Sequence, residues 1–279
     1  MDDGLPALES ACPAEVAVRA LSILYHDVVH ENFEESGFPG AAAARYKFTE
    51  TEFGAHLRRM AERAPSDAVP VDRWFGGSAT EQRPFFMTLD DGGSSAVYIA
   101  EALERHNWRG HFFVTTNYID TPTFVSRDQI RWLRQRGHVV GSHSSSHPFR
   151  MSEIPSEQLA AEWKDSVAVL SEILGEPVRS ASVPGGFYAP RVAEAAAAAG
   201  VRALFTSEPT TRVAEVAGCL VLGRYTVYRG LSSEYAGELA AGSRLALTKQ
   251  QLLWGVKKIL KTAAAPLWDG ARKVLFSGK

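Results

Sequence analysis

The 279-residue chain predicts an α/β fold built on a parallel sheet. Apolar runs of strand length alternate with stretches of helical pattern from about residue 85 to residue 206. Reactive side chains directly follow several of these runs, and ligands of parallel sheets bind at the carboxyl ends of strands. The alternation by itself leaves two architectures open, a doubly wound sheet and a (β/α) barrel.

Composition and charge exclude several classes of protein. The chain is 45% apolar and 22% charged, as in soluble globular proteins, and a formal net charge of −2 gives no basis for nucleic-acid binding. Residues 1–4 are acidic where a signal peptide is basic, and no apolar run approaches the length of a membrane-spanning helix. We therefore expect a protein that is cytoplasmic or peripheral at the inner membrane.

The first predicted elements are a strand and a helix. Leu21–Tyr25 is a short apolar run that predicts a strand with His26 at its end. Residues 29–47 contain glycine and proline and predict a long loop. Thr49 then begins a helix, because Glu52 three residues later completes a capping box. The inner face of this helix is expected to carry Phe53, Leu57, Met60 and Ala61.

Helices and strands alternate through the rest of a main domain placed at residues 15–243, behind a polar lead of residues 1–14. Ser156 is expected to cap the longest helix, which Gly175 and Pro177 end. The other predicted elements are helix 97–103, strand 110–115, helix 126–136, strand 138–142, strand 178–183, helix 190–199 and strand 201–206.

Two adjacent carboxylates are the strongest chemical feature. The apolar run Phe85–Leu89 is long enough for a buried strand and ends at Asp90 and Asp91, which glycines follow. Successive side chains of a strand point to opposite faces, so the two aspartates are expected to have different roles. Two buried carboxylates repel each other and lose hydration, so we expect a positive charge beside them.

Two histidines, His143 and His147, follow the predicted strand 138–142 and are four residues apart. One aspartate and two histidines form a metal-ligand set that leaves a coordination position open for water and substrate. The second aspartate is then available for acid–base chemistry. A single histidine is usually structural, but that interpretation explains this combination of residues poorly.

The aspartate pair and the histidine pair together resemble the polysaccharide deacetylases, the NodB homology or carbohydrate esterase family 4 group. The resemblance covers about residues 20–225 and indicates a branch with an early Tyr-His-Asp motif and a Pro-Gly-Gly third motif. It implies a distorted (β/α) barrel with about seven parallel strands. The matching segments, in family order, are 23–28, 88–92, 112–115, 137–147 and 183–188.

The resemblance implies a role for each member of the two pairs. Asp91, His143 and His147 would bind a divalent metal, and Asp90 would be the general base that takes a proton from water. The ligand types favour Zn²⁺, while Co²⁺, Ni²⁺, Fe²⁺ and Mn²⁺ stay open. The alternative for Asp90 is that it only orients the metal ligands.

The general acid departs from the common family pattern. Many relatives use a late histidine, but this chain has none after His147. His26 fits the early Tyr-His-Asp motif and is the predicted acid, with a structural role beside Tyr25 as the alternative. His30 is a weaker substitute.

The third motif is predicted to contact substrate. Pro184, Gly185, Gly186 and Tyr188 would bring the backbone close to the substrate, and a main-chain N–H would hold the oxyanion. An ordinary tight turn is the alternative. The arginine that the family carries here is missing, so the residue that orients Asp90 must come from elsewhere. The candidates are Arg179, Arg191 and Arg224.

These assignments predict a metal-dependent deacetylase that hydrolyses N-acetyl groups of an amino-sugar-containing polysaccharide or glycan, such as an exopolysaccharide. One alternative is an O-deacetylase or another amide hydrolase on the same scaffold. Another is a non-catalytic binding or scaffold module of a polysaccharide-assembly complex.

The tail of residues 244–279 differs in character, with eight Lys or Arg against Asp269 as its single acidic residue. Thr248 is expected to begin an amphipathic helix. Its apolar side would either pack on the barrel or dock on a membrane or polysaccharide-assembly partner, where lysines favour anionic lipid. The apolar positions are Leu252, Val256, Ile259, Leu260 and Ala263.

Overall fold

One curled, mostly parallel sheet organises the chain. The structure, a computed structural model, describes residues 18–74 and 83–263. Each long apolar run of the sequence forms a buried strand, because alternate side chains face hydrophobic layers on both sides of the sheet. The strands are β1 Leu21–Tyr25, β2 Val28–Val29, β3 Phe48–Thr49, β4 Phe85–Leu89, β5 Gly110–Val114, β6 Val139–Ser142, β7 Ser180–Ser182, β8 Ala203–Phe205, β9 Ala214–Val216, β10 Cys219–Leu222 and β11 Tyr225–Thr226.

The main sheet has nine strands in the order β11-β1-β4-β5-β6-β7-β8-β10-β9, and β2 pairs with β3 separately. Every neighbouring pair in the main sheet is parallel except β9 and β10. Backbone hydrogen bonds from Ala20 N to Thr211 O (2.9 Å) and from Val213 N to Val18 O (3.0 Å) join the start of β1 to the segment before β9. The sheet therefore curls toward a barrel, and the predicted fold class is confirmed, with eight parallel strands among the described residues.

Helices cover the outside of the curl. They are α1 Ala41–Ala44, α2 Glu50–Arg63, α3 Ala96–Glu104, α4 Arg127–Gln135, α5 Ser156–Leu174, α6 Pro190–Ala198, α7 Ser233–Ala240 and α8 Arg244–Ala263. Strands joined by helices in this way remain parallel, so their carboxyl ends collect at one rim. That rim carries the reactive side chains.

Alternate residues of β4 face two different layers. Phe85 and Met87 belong to the largest hydrophobic cluster, which the outer helices complete. Phe86 faces the other way and shares a cluster with Phe113 and residues of β8 and β10, which meet only across the inside of the curl. Because side chains alternate, Asp90 continues the inward face of Phe86. The strand thereby delivers one carboxylate to the inside of the barrel.

The predicted start of α2 is confirmed, and its inner face differs at one position. Thr49 and Glu52 form the capping box in both directions. Phe53, Leu57 and Met60 are buried as expected, but Ala61 is exposed. His56 occupies the inner face instead, where its ring meets the Tyr25 hydroxyl at 3.0 Å.

The predicted cap of α5 is wrong. Ser156 is the first helical residue and Pro155 holds the N-cap position without a side-chain hydrogen bond. The Ser156 hydroxyl instead accepts a hydrogen bond from Arg191 at 2.9 Å. Gly175 ends the helix in the left-handed conformation, as predicted (φ 70°).

Two stretches contain more structure than the sequence pattern predicts. The expected long loop at residues 29–47 includes α1, and it is tied to the barrel by the short β2–β3 pair. Residues 207–243 form β9, β10, β11 and α7, none of which was predicted. These strands are two to four residues long, too short to show a clear alternation of apolar and polar residues.

The C-terminal helix α8 begins at Arg244 rather than Thr248, and of the two alternatives for its apolar side, packing on the barrel is wrong for Leu252 and Val256. Leu252 and Val256 are 67% and 56% exposed. Ala246 is buried instead, and the amide of Gln250 bonds Thr226 O at 3.0 Å, which fixes the opposite face against the barrel. Ile259, Leu260 and Ala263 have no described side chains, and residues 1–14 and 264–279 lie outside the described part. Among the residues described, no helix has the length and apolar character to span a membrane.

Candidate metal centre and active site

Strand ends bring the predicted residues to one rim of the barrel. His26 follows β1, Asp90 and Asp91 follow β4, and His143 follows β6. The adjacent strands β4, β5 and β6 run parallel, so their carboxyl ends converge. The prediction that the reactive side chains share this rim is confirmed.

Asp91, His143 and His147 form a compact group. The Asp91 Oδ1 atom lies 3.4 Å from His143 Nε2 and 3.5 Å from His147 Nε2. One donor atom from each residue lies within 4.8 Å of the others, which allows all three to contact one ion. Asp91 and His143 are buried, and His147 is partly exposed toward solvent. Two imidazoles and one carboxylate fit a divalent transition metal with an open coordination position.

Ser182 orients the first histidine of the group. His143 Nδ1 lies 3.1 Å from the Ser182 carbonyl oxygen and 2.6 Å from the Ser182 hydroxyl. The carbonyl oxygen can only accept a hydrogen bond, so it favours the proton on Nδ1 and leaves the lone pair on Nε2, which faces Asp91. The buried histidine is therefore held in the form that a metal requires.

Charge attraction dominates the metal-binding group. Burial alone would raise the pKa of Asp91, but the adjacent imidazoles of His143 and His147 lower it well below its usual value. Burial lowers the pKa of His147, and the hydrogen bond and charge of Asp91 more than offset this and raise it. The carboxylate is therefore ionised and ready to bind a cation.

The loop that carries His147 has an unusual backbone and a buried anchor. Ser144 and His147 of this loop have positive φ angles of 66° and 59°, as does Asp91 after β4 (75°), a conformation that non-glycine residues adopt rarely and at a cost. Glu162 of α5 holds the loop by accepting hydrogen bonds from Ser145 N and from the next residue's N, both at 2.9 Å. No sequence pattern indicated this role for Glu162, which looks like an ordinary helix residue.

Asp90 is clamped by Arg224. The guanidinium donates to both carboxylate oxygens, to Oδ1 at 2.6 Å and Oδ2 at 2.8 Å, and the Ser182 hydroxyl donates to Oδ1 at 2.9 Å. Burial raises the pKa of Asp90, but the charges of Arg224 and His143 outweigh burial and lower it. The Asp90 Oδ2 atom is 3.8 Å from His143 Nε2, so this carboxylate lies beside the metal-binding group.

Arg224 is the arginine that orients Asp90, among the three candidates from the sequence. Its guanidinium is fully buried, bonds Thr206 O through Nε at 3.0 Å and lies 5.9 Å from the Phe113 ring. Arg191 instead bonds carbonyl oxygens near α5, and Arg179 is exposed. The sequence signal that could have identified Arg224 was the apolar run of β10, which ends just before it.

We expect Arg224→Met to unfold at lower denaturant concentration than the wild type, with a loss of about 3–5 kcal/mol, because Asp90 would remain buried without its cation. Equilibrium unfolding in urea measures this loss. Arg191→Met is the matched control, since Arg191 bonds only neutral oxygen atoms. Its replacement should therefore lower the free energy of unfolding by less than Arg224→Met does. Equal losses in the two variants would contradict the assigned pairing.

His26 lies at the same rim, with its ring against the Tyr46 ring at 4.6 Å between centroids. Burial lowers its pKa, while the charges of Asp91 and Asp90 act in the opposite direction. The imidazole is therefore close enough to sense both carboxylates. The weaker candidate His30 is exposed and lies 3.9 Å from Glu50.

The third motif forms a tight turn that supports the metal-binding loop. Pro184–Gly186 is a short 3-10 turn, and Gly185 has a φ of 65°. A Cβ at Gly185 would lie 2.1 Å from the Phe149 carbonyl oxygen. Glycine is therefore required here because the backbone passes close to the segment that follows His147. Tyr188 packs partly buried against a hydrophobic cluster of α5 and α6. Contact of these four residues with substrate stays a prediction.

Comparisons of sequence identify the family that this chain resembles. Residues 77–204 match the family described as polysaccharide deacetylase. The chain is 42% identical over 65 residues, 22% of its length, to the peptidoglycan-N-acetylglucosamine deacetylase PgdA of Listeria monocytogenes. It is 29% identical over 72 residues, 25% of its length, to the peptidoglycan-N-acetylmuramic acid deacetylase PdaA of Bacillus subtilis. The matches span 13% and 26% of these two relatives.

Comparison of structure supports the same fold. The deacetylase PplD of Streptococcus pyogenes, solved with acetate, superimposes with a TM-score of 0.65 at 17% identity, over 78% of this chain and 96% of PplD. At that identity the likeness concerns the fold, while the sequence match concerns the segment that contains Asp90, Asp91, His143 and His147. The chain is therefore similar to the polysaccharide deacetylases, in sequence over residues 77–204 and in fold over most of its length, and the resemblance inferred from its ordered motifs is confirmed.

Proposed function

We propose that the protein is a metal-dependent deacetylase that hydrolyses N-acetyl groups of an amino-sugar-containing glycan. The observation that supports it best is the pairing of two differently held carboxylates. Asp91 faces two imidazoles in a metal-ligand arrangement. Asp90 lies next to it and accepts two hydrogen bonds from the Arg224 guanidinium. A hydrolase that activates water needs both a cation site and a separate base.

Asp90 is the proposed general base. A bound divalent cation, for which zinc is the first choice, would supply a Lewis acid that lowers the pKa of water and polarises the acetyl carbonyl. Asp90 would take the proton of the attacking water, and its lowered pKa keeps it ionised and able to do so. The two-point contact with Arg224 fixes the direction of the carboxylate, which favours a single productive geometry.

His26 is the proposed general acid for the leaving amine. Its lowered pKa leaves the ring neutral near pH 7, so the proton that it donates to the leaving amine would be the one that Asp90 takes from the attacking water. The nearby carboxylates Asp90 and Asp91 favour the protonated ring. We further propose that Pro184, Gly185, Gly186 and Tyr188 border the substrate and that a backbone N–H in this segment helps to hold the oxyanion.

An acetate-release assay tests the proposed reaction. We expect the zinc-loaded protein to release acetate from oligomers of N-acetylglucosamine, because the names of PgdA and PdaA both specify N-acetylated amino sugars. An O-acetylated xylan oligomer is the matched comparison. Release from the O-acetylated oligomer alone would replace the proposal by the O-deacetylase alternative.

A binding or scaffold role in a polysaccharide-assembly complex is the alternative from another class. The intact group of Asp91, His143 and His147 beside a clamped Asp90 favours an enzyme, since a binding module does not need such a group. No acetate release from any acetylated glycan by the metal-loaded protein would favour the scaffold role.

We also propose that α8 docks the protein on an anionic membrane or a membrane-bound assembly partner. Leu245 and Leu252 are 82% and 67% exposed and lie with Val256 on one face of the helix. The helix carries five Lys or Arg and no acidic residue. A helix with an exposed apolar face and several basic residues suits a negatively charged membrane surface. Each basic side chain contributes ~1 kcal/mol to the free energy of binding there.

We expect the full chain to co-sediment with phosphatidylglycerol vesicles and not with neutral phosphatidylcholine vesicles. Replacing Leu245, Leu252 and Val256 together by serine should abolish binding, because the inserted apolar area is lost. Val18→Ser, at an exposed apolar residue outside α8, is the control and should bind normally. Unchanged sedimentation of the triple variant, or its conversion of a dimer to a monomer, would contradict the membrane role.

A further inference from the structure

Two polar atoms next to the proposed active site are buried without a partner. Among the described residues, His26 Nδ1 and Asp27 Oδ2 have no hydrogen bond although solvent does not reach them. A buried polar atom without a partner costs about 1–3 kcal/mol, so nearly all such atoms are bonded to protein or to ordered water. The two orphan atoms belong to neighbouring residues at the end of β1.

Both residues line one small cavity. It is bordered by Asp90 and by the glycines of the turn that follows it, and it has a volume of about 10 Å³. Ser95 adds a polar wall, and Phe112 is among the apolar residues that complete it. This volume is close to the minimum that accommodates one water molecule, and a water needs at least two polar partners to be stable in a protein interior.

The Asp27 carboxylate is rigidly placed at this cavity. Its Oδ1 atom accepts hydrogen bonds from the Ser36 hydroxyl at 2.6 Å and the Ser95 hydroxyl at 2.9 Å. A Cβ at Gly37 or Gly93 would lie 2.0 or 1.9 Å from a carboxylate oxygen, so both glycines enclose the group closely. Oδ1 is thus occupied, and Oδ2 is the oxygen that remains for another partner.

We propose that one internal water bridges His26 Nδ1 and Asp27 Oδ2, which makes Asp27 the positioning residue of His26. The ring donates its Nδ1 proton to the water, and the water donates a proton to Oδ2. Nδ1 is thereby bonded to the water in the cavity, and Nε2 is the ring nitrogen that remains to contact the substrate. Asp27 does not itself touch substrate, and its importance for catalysis rests on the proposed acid role of His26.

The charge state of Asp27 agrees with this arrangement. Burial raises its pKa to about 6, and the charge of Asp91 acts in the same direction. The group is therefore mainly a carboxylate at pH 7.5, and a carboxylate can only accept hydrogen bonds. The tautomer of His26 follows from that, because the bridging water must point a proton at Oδ2 and its oxygen at Nδ1.

Nitrogen NMR of the full chain labelled with ¹⁵N-histidine tests the bridge without any activity. The chain has eight histidines, and loss of a signal in His26→Gln assigns the relevant one. We expect His26 to be protonated at Nδ1 in the wild type. In Asp27→Asn the serine hydroxyls should still bond the amide oxygen, so the amide N–H would face the water and switch His26 to the Nε2–H tautomer. Ser36→Ala keeps the Oδ2 charge and should leave the tautomer unchanged.

Kinetics then test the positioning role. Asp27→Asn should lower kcat by about 10-fold or more while KM and zinc content stay within twofold, because a misplaced acid affects the chemical step. In a His26→Gln background the same change should have no further effect. A structural role for Asp27 would lower kcat in both backgrounds.

The NMR experiment and the kinetic experiment test different parts of the proposal. An Nε2–H tautomer in the wild type, or the same tautomer in wild type and Asp27→Asn, would overturn the bridge. Equal kcat losses from Asp27→Asn with and without His26 would overturn the positioning role. Absence of acetate release by the wild type would overturn the proposed function alone, and the NMR result would still decide the bridge.

Discussion

Asp90→Asn should reduce acetate release by about 10³-fold, the typical contribution of a general base, while zinc remains bound. The amide has the shape of the carboxylate but cannot take a proton. Its oxygen can still accept from Arg224, but the buried guanidinium loses its counter-charge, so we also expect a lower free energy of unfolding. Acetate release should therefore be compared well below the unfolding temperature of the variant.

Asp120→Asn is the control for this substitution, because Asp120 is exposed and, among the described residues, its carboxylate contacts only Arg127. Its activity and zinc content should match those of the wild type. The informative result is the ratio of kcat values at equal zinc content, measured with N-acetylglucosamine oligomers. If Asp90→Asn kept more than about a tenth of kcat, Asp90 would only orient the metal ligands, which is the alternative that the sequence left open.

The side chains whose position at the rim could be predicted from sequence share one property, which is that the signal is local. Asp90 and Asp91 directly follow an apolar run, and His143 and His147 directly follow another. A strand ends where its apolar run ends, so the position of these side chains at the rim needs no knowledge of the rest of the chain.

Arg224 shows what local patterns cannot provide. It is separated from Asp90 by 134 residues and reaches it only because the sheet curls. The sequence required a positive partner for the aspartates, yet offered three arginines of equal merit. Only the pairing of β11 with β1, and the inward face of Asp90, distinguish Arg224 from the other two.

The expectation that the apolar side of the C-terminal helix packs on the barrel was wrong for a different reason. Helical periodicity correctly predicts that α8 is amphipathic, but it does not say which surface the apolar side meets. The amides of Gln250 and Gln251 bond Thr226 O and the Tyr225 hydroxyl, and these contacts turn Leu252 away from the barrel. Specific polar contacts thus determined the orientation of the helix, against the simple hydrophobic expectation.

Removal of the metal should abolish activity, with a loss of at least about 10³-fold, because the Lewis acid contributes several kcal/mol to catalysis. We expect dialysis against a chelator to stop acetate release and zinc to restore it. His147→Gln should lose zinc at concentrations that saturate the wild type. His106→Gln is the matched control, since His106 lies outside the metal-binding group.

Thermal unfolding provides a second measurement that does not need a substrate. A ligand present at 100 times its Kd stabilises the folded protein by ~2.7 kcal/mol, so zinc should raise the Tm of the wild type and of His106→Gln. The Tm of His147→Gln should respond much less. An equal rise in all three proteins would place the zinc elsewhere and contradict the assignment of Asp91, His143 and His147.

The dependence of zinc affinity on pH follows from the same contacts. In the metal-free protein Asp91 raises the pKa of His147, so this ring holds a proton to a higher pH than an ordinary histidine. Zinc binds the deprotonated ring, so protons compete with zinc below that pKa, and affinity should rise as the pH increases through it. In His147→Gln this competition is absent, and the residual affinity should vary less with pH. A titration by calorimetry at several pH values distinguishes the two slopes, and equal slopes would mean that His147 does not bind the metal.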